Sequence, residues 1–367
     1  MCNPFLRMKS YLRSHAYHHF LLISIVTLII IVVPLAINAS FDGTNVWGGA
    51  TEALICAPDQ TNGCSALIFE EHYCEPIQWG KFLRTPYNAM SNMAFVVSAM
   101  VTLSTVSLHC RWMEHQRPML VPQNHLQRYN LLNKMYALLL ALGGIGSFVC
   151  HSAVTYFSAQ LDRAGIWMIL TPVLAMSLLR WVPMEWGETK GKGWFYPGWL
   201  AFWYVLLPGG LSAFHLVDPT NSLATPLLYV GIPIIIGFCI ILATLRFFLG
   251  KCDYVHESRS NYKLAAAAIV TAGVAFLLQK PERVGACDAD SRLVYKLTHA
   301  YWHILISVAC FFNHRFCFFE RLHIPEFGEK GGINTSDEDS NDLEMLRVSV
   351  EEEGNTAISV KSLDVII

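Results

Sequence analysis

Five side chains stand where an apolar stretch of chain should not carry them. His151 closes the run GSFVCHSAV, Asp162 opens SAQLDRAGIW, and His299 and His303 lie in LTHAYWHIL. Ser147 precedes His151 by four residues. Ionisable groups inside hydrocarbon are costly and mark function by default. His299 and His303 are four apart and share one helix face, as do Ser147 and His151. Three imidazoles with an open fourth position are the usual catalytic zinc arrangement. Zinc brings the pKa of a bound water to ~7 and polarises a carbonyl. Asp162 would orient that water or take its proton, and Ser147 would hydrogen-bond a developing oxyanion. This chemistry suits an amide or ester whose lipid body lies in a membrane. A single histidine at an interfacial helix end is more often water-facing or a cap. Three of them with an aspartate at one depth reverse that reading.

The elements that must bring these residues together are membrane helices. Hydrophobic residues make up 53% of the 367, charged residues only 15%, and mean hydropathy is +0.38. A soluble domain averages about 25% charged, and the net charge of −2 excludes a basic nucleic-acid binder. Residues 326–367 hold eleven acids against three bases, a net of −8, so the first 325 residues carry +6. A crossing helix needs roughly 20 mostly apolar residues. Such stretches lie at about 20–38, 88–109, 131–152, 160–180, 194–215, 224–249, 262–279 and 297–318. The expected fold is therefore all-α: a seven-helix transmembrane bundle over 88–320 with an additional N-terminal hydrophobic helix. The first segment reads as a signal anchor or a signal peptide. Its apolar run exceeds the roughly 7–15 residues of a signal h-region, which favours an anchor. It separates a cytosolic N-terminus (1–19) from a lumenal segment (39–87).

Lys and Arg set the orientation. Arg7, Lys9 and Arg13 precede the first segment, Arg111, Arg117 and Arg128 follow the second, and Arg315 and Arg321 follow the last. Both termini are expected in the cytosol, in an endomembrane such as the endoplasmic reticulum or Golgi. The second span of the block then runs outward, and the third and seventh run inward. His151, Asp162, His299 and His303 consequently share one depth, near the lumenal or extracellular face. Cys56, Cys64, Cys74 and Cys287 fall on that oxidising side, where disulfides persist, and three pairings are open. Cys110, Cys150, Cys310 and Cys317 fall in spans, where a thiol is usually a small apolar residue. Asn38-Ala-Ser is a glycosylation sequon close to the bilayer. Residues 326–367 read as an acidic, disordered cytosolic tail.

These residues form a longer pattern. Ser147-x3-His151, Asp162 eleven residues on, and His299-x3-His303 in HAYWH are preceded by Tyr73-Cys74-Glu75 and by Asn88-Ala89-Met90-Ser91-Asn92. Over roughly 72–320 the pattern resembles the alkaline ceramidase family. That family belongs to a superfamily of seven-helix membrane hydrolases that also includes the progestin/adipoQ receptors. The resemblance implies zinc on His151, His299 and His303, catalytic roles for Ser147 and Asp162, and a disulfide from Cys287 to the N-terminal Cys74. It implies hydrolysis of a ceramide-like membrane lipid to a sphingoid base and a fatty acid. Of that family's calcium cluster Glu75 remains, but His72, Ile77 and Thr85 stand where ligands are expected, so Ca2+ has little support. The alternative is a zinc-containing receptor of the adipoQ type. Asn88, Ser91 and Asn92 share a helix face and read mainly as interhelical hydrogen-bonding groups.

Overall fold

The computed structural model describes residues 4–41, 43–47, 75–115, 124–180, 182, 193–217, 259–278 and 297–319. All belong to a unit spanning Met1–His323. The Cys74–Cys287 pair, Cys56, Cys64, the stretch at 224–249 and the acidic tail lie outside the described residues.

Regular structure among the described residues is helical. Helix α1 is Pro4–Ser40, followed by a single turn, α2 (Thr44–Trp47). Helices α3 (Pro86–Ser91) and α4 (Met93–His115) follow one another across Asn92. A turn, α5 (His125–Arg128), leads into α6 (Leu131–Ala153) and α7 (Tyr156–Leu179). Helix α8 (Phe195–Leu200) passes through a π-helical stretch (Ala201–Leu206) into α9 (Leu207–Val217). Helices α10 (Arg259–Leu278) and α11 (Thr298–Phe318) complete the described set. Helix α1 starts well before the apolar run at 20–38, so the basic segment ahead of it is helical as well.

Four of these segments are long and apolar enough to cross a membrane: Tyr17–Ser40, Pro86–Arg111, Leu131–Ala153 and Phe157–Leu179. Helix α10 is apolar over the shorter Lys263–Leu278. Helix α11 is not among the four, although it has 21 residues. His299, His303, Asn313, His314 and Arg315 pull its hydropathy down, and the first two belong to the candidate site.

A helical hairpin and the packing of α11 organise the described core. Helices α6 and α7 form a hairpin joined only by Val154 and Thr155. Val154 takes φ 47°, a left-handed conformation that ends α6, and its N–H bonds the Cys150 carbonyl at 2.8 Å. Thr155 then opens α7 with a reciprocal cap: Ser158 N–H donates to Thr155 Oγ1 (3.2 Å), and Thr155 N–H donates to Ser158 Oγ (2.9 Å). The hairpin closes tightly because Gly143 faces Gly165. A Cβ on Gly143 would sit 2.7 Å from the Gly165 carbonyl oxygen and 2.6 Å from Ile169. Small residues permit this approach where lipid supplies no drive for helices to associate. Helix α11 packs against both α10 and α4, and α4 packs on α6. Phe95, Leu132, Tyr136, Ile169, Met176 and Phe316 fill the space between them.

Candidate metal centre

Helices α6, α7 and α11 deliver the polar residues to one end of the bundle. His151 lies in the last turn of α6, and His299 and His303 lie in the first two turns of α11. All three are buried, at 0%, 4% and 2% exposure. One nitrogen from each ring lies within 4.8 Å of the others, which is the spacing of ligands around a shared ion. Ring centroids are 4.4 Å apart for His299–His303, 5.0 Å for His151–His299 and 5.2 Å for His151–His303. The i, i+4 pair and the third imidazole therefore meet in space.

The surroundings orient the rings. Ser91 Oγ donates to the Asn88 carbonyl at 2.8 Å and lies 2.9 Å from His303 Nδ1. A hydroxyl has one proton, so Ser91 accepts from Nδ1–H, and the lone pair of His303 sits on Nε2. Fixing a tautomer in this way is what a neighbour of a metal-ligating histidine ordinarily does. His299 stacks on Trp302 at 5.6 Å and 16°. Thr85 holds the main chain of His151, its N–H (3.0 Å) and Oγ1 (2.7 Å) both donating to the His151 carbonyl.

Ser147 and Asp162 flank the triad across a small cavity of about 50 Å³, room for one or two waters. The Asp162 carboxyl faces Ser147, whose buried Oγ has no hydrogen-bond partner of good geometry. His303 lines the same cavity, and below these polar groups the walls are apolar: Phe95, Ile166, Ile169, Phe276 and Ile306. A hydroxyl, a carboxylate and the His303 imidazole thus line a space with a greasy floor, with the other two imidazoles next to His303.

Glu75 sits beside the site but has a structural task. Its two carboxylate oxygens accept from Tyr87 N–H (2.9 Å) and Asn88 N–H (2.8 Å) and so cap α3, the helix that presents Ser91. Burial pushes its carboxyl up to about 7, against the lowering effect of those amides. Arg84, a basic residue of the segment ahead of α3, is fully buried. Its Nη1 donates to the Ala153 carbonyl at 2.7 Å and its N–H to Ser152 at 3.2 Å, while its guanidinium lies 4.9 Å over Trp79. It satisfies the last carbonyls of α6, directly after His151. Burial lowers its pKa from the usual guanidinium value. The Arg84-Thr85-Pro86 run was the available signal, since Pro86 at the first helical position announces a helix start.

No protein-family model matches the chain, and no curated protein is significantly similar to it. The likeness to alkaline ceramidases rests on the motifs quoted above.

Proposed function

We propose that the protein is an integral-membrane, zinc-dependent hydrolase that cleaves the amide of ceramide or a related lipid. One observation carries this reading: three buried imidazoles share a ligand-sized space beside Ser147 and Asp162. The donor set fits zinc, being three imidazole nitrogens with one ring already oriented through Nδ1 by a hydroxyl. The surrounding architecture is taken as a seven-helix bundle with the site toward the lumenal face, where water is at hand.

Bound to His151, His299 and His303, zinc would polarise the amide carbonyl and acidify a water. Asp162 is positioned to accept the proton as water oxygen adds to the acyl carbon. Ser147 donates its hydroxyl hydrogen to the oxygen on which charge develops. When the C–N bond breaks, the proton held by Asp162 passes to the departing amine, giving a sphingoid base and a fatty acid. The apolar walls below Ser147 hold the hydrocarbon next to the reacting carbonyl and keep bulk water out.

Metal analysis of the purified protein, combined with mass spectrometry of products from a ceramide and phospholipid panel, tests this. His299→Ala and His303→Ala are expected to lose both bound zinc and amide hydrolysis. Full hydrolysis by the metal-free double variant overturns the proposal.

A further inference from the structure

The resemblance stops short of the N-terminal helix, yet that helix is tied to the site by a short chain of contacts. Asn38, two residues from the end of α1, accepts from the Leu83 N–H through Oδ1 at 2.7 Å. The turn after α1 reinforces this. Trp47 Nε1 donates to the Phe82 carbonyl at 2.9 Å, with the two rings 5.4 Å apart. Gly43 N–H bonds the Gly80 carbonyl at 3.3 Å, and a Cβ at Gly43 would collide with the Lys81 carbonyl. Leu83 is fully buried, and the next two residues are the ones that hold α6: Arg84 bonds Ser152 and Ala153, and Thr85 bonds His151. Immediately after them begins α3, whose Ser91 orients His303. Residues 83–85 therefore face α1 on one side and the end of the ligand-bearing helix on the other.

We infer that α1 is a retained part of the site's scaffold and that Asn38 is a positioning residue acting through Leu83, Arg84 and Thr85 on His151. Removal of α1 as a signal peptide, with cleavage after the small residue Ala39, would carry Asn38 away and leave the Leu83 amide without that acceptor. The effect on metal rests on the proposed metal site; the contact itself does not.

The experiment uses the full-length chain in detergent, with cobalt(II) as the metal probe and hydrogen exchange on the metal-free protein. Asn38→Ala is expected to speed exchange in peptides covering 80–86 and 148–154, and to weaken cobalt binding about tenfold. Asn38→Asp keeps the Oδ1 acceptor and is expected to restore both. Ser40→Ala destroys the sequon but leaves Asn38 in place, and is expected to match the unaltered protein. Unchanged exchange in Asn38→Ala, equal loss in Ser40→Ala, or a purified active chain beginning at Ser40 would each overturn the inference. If the unaltered protein binds no cobalt, the metal reading fails while the exchange data still decide the role of α1.

Discussion

Helix α11 carries buried histidines at both ends, and the two ends treat them differently. At its start, His299 and His303 point toward a third imidazole from α6, and three like groups converge on one small volume. Near its end, His314 is accommodated as a packing residue. Its Nε2–H donates to Asn133 Oδ1 at 2.9 Å, Asn133 Nδ2 donates on to the Leu126 carbonyl at 2.7 Å, and the ring stacks on Tyr136 at 5.0 Å. The caps differ too. Glu75 and Arg84, both ionisable, bind helix ends beside the triad, whereas Asn124 (2.9 Å) and Gln127 (2.8 Å) donate neutral amides to the Phe318 carbonyl at the far end. A buried histidine is thus no sign of chemistry by itself. Convergence of three histidines on one small volume is the informative feature.

The contrast can be broken most sharply by paired substitutions. His151→Ala is expected to abolish metal retention, whereas His314→Ala retains the metal. The latter destabilises the fold by about 1–3 kcal/mol because Asn133 loses its donor. Metal content and thermal denaturation of the two variants decide it, and metal loss in both would erase the distinction. A pH series comes next in size. The folded chain holds the Glu75 proton up to about pH 7, while the unfolded chain releases it near 4.5. The stability this group contributes is therefore full below about 4.5 and lost as pH rises to about 7, by roughly 3 kcal/mol. Glu75→Gln is expected to flatten that window, while Asn124→Ala shifts stability equally at both pH values. The smallest effect belongs to Ser91→Ala. Freed from its hydroxyl, His303 is expected to hold the metal about tenfold less tightly, or ~1.4 kcal/mol, with titration of the metal as the readout.

The chemistry was more legible in the sequence than the scaffold around it. His151, His299, His303, Ser147 and Asp162 stand out because an apolar span displays every polar residue, and helical periodicity with a common depth puts them near each other. The contacts that hold them were not legible in that way. Glu75 caps a helix that starts eleven residues later, and Arg84 bonds a carbonyl 69 residues away. Both act on backbone atoms, which have no residue type to read. Helix α11 shows the converse difficulty: the polar residues that make it interesting also weaken the hydropathy signal that would identify it as a span. Ser91 lay between these cases, its face correct from spacing but its partner, His303, visible only in the fold.

The crossing of α6 and α7 sets how far Ser147 stands from Asp162. Gly143 lies one turn from Ser147, and Gly165 lies three residues from Asp162. Their backbones meet where any side chain would intervene. The spacing of hydroxyl and carboxylate accordingly depends on two absent methyl groups. Adding one carbon at either glycine would wedge the hairpin apart without touching a reactive atom. Along α6, Gly143 should therefore tolerate mutation as poorly as Ser147 and His151, although it contributes no reactive atom.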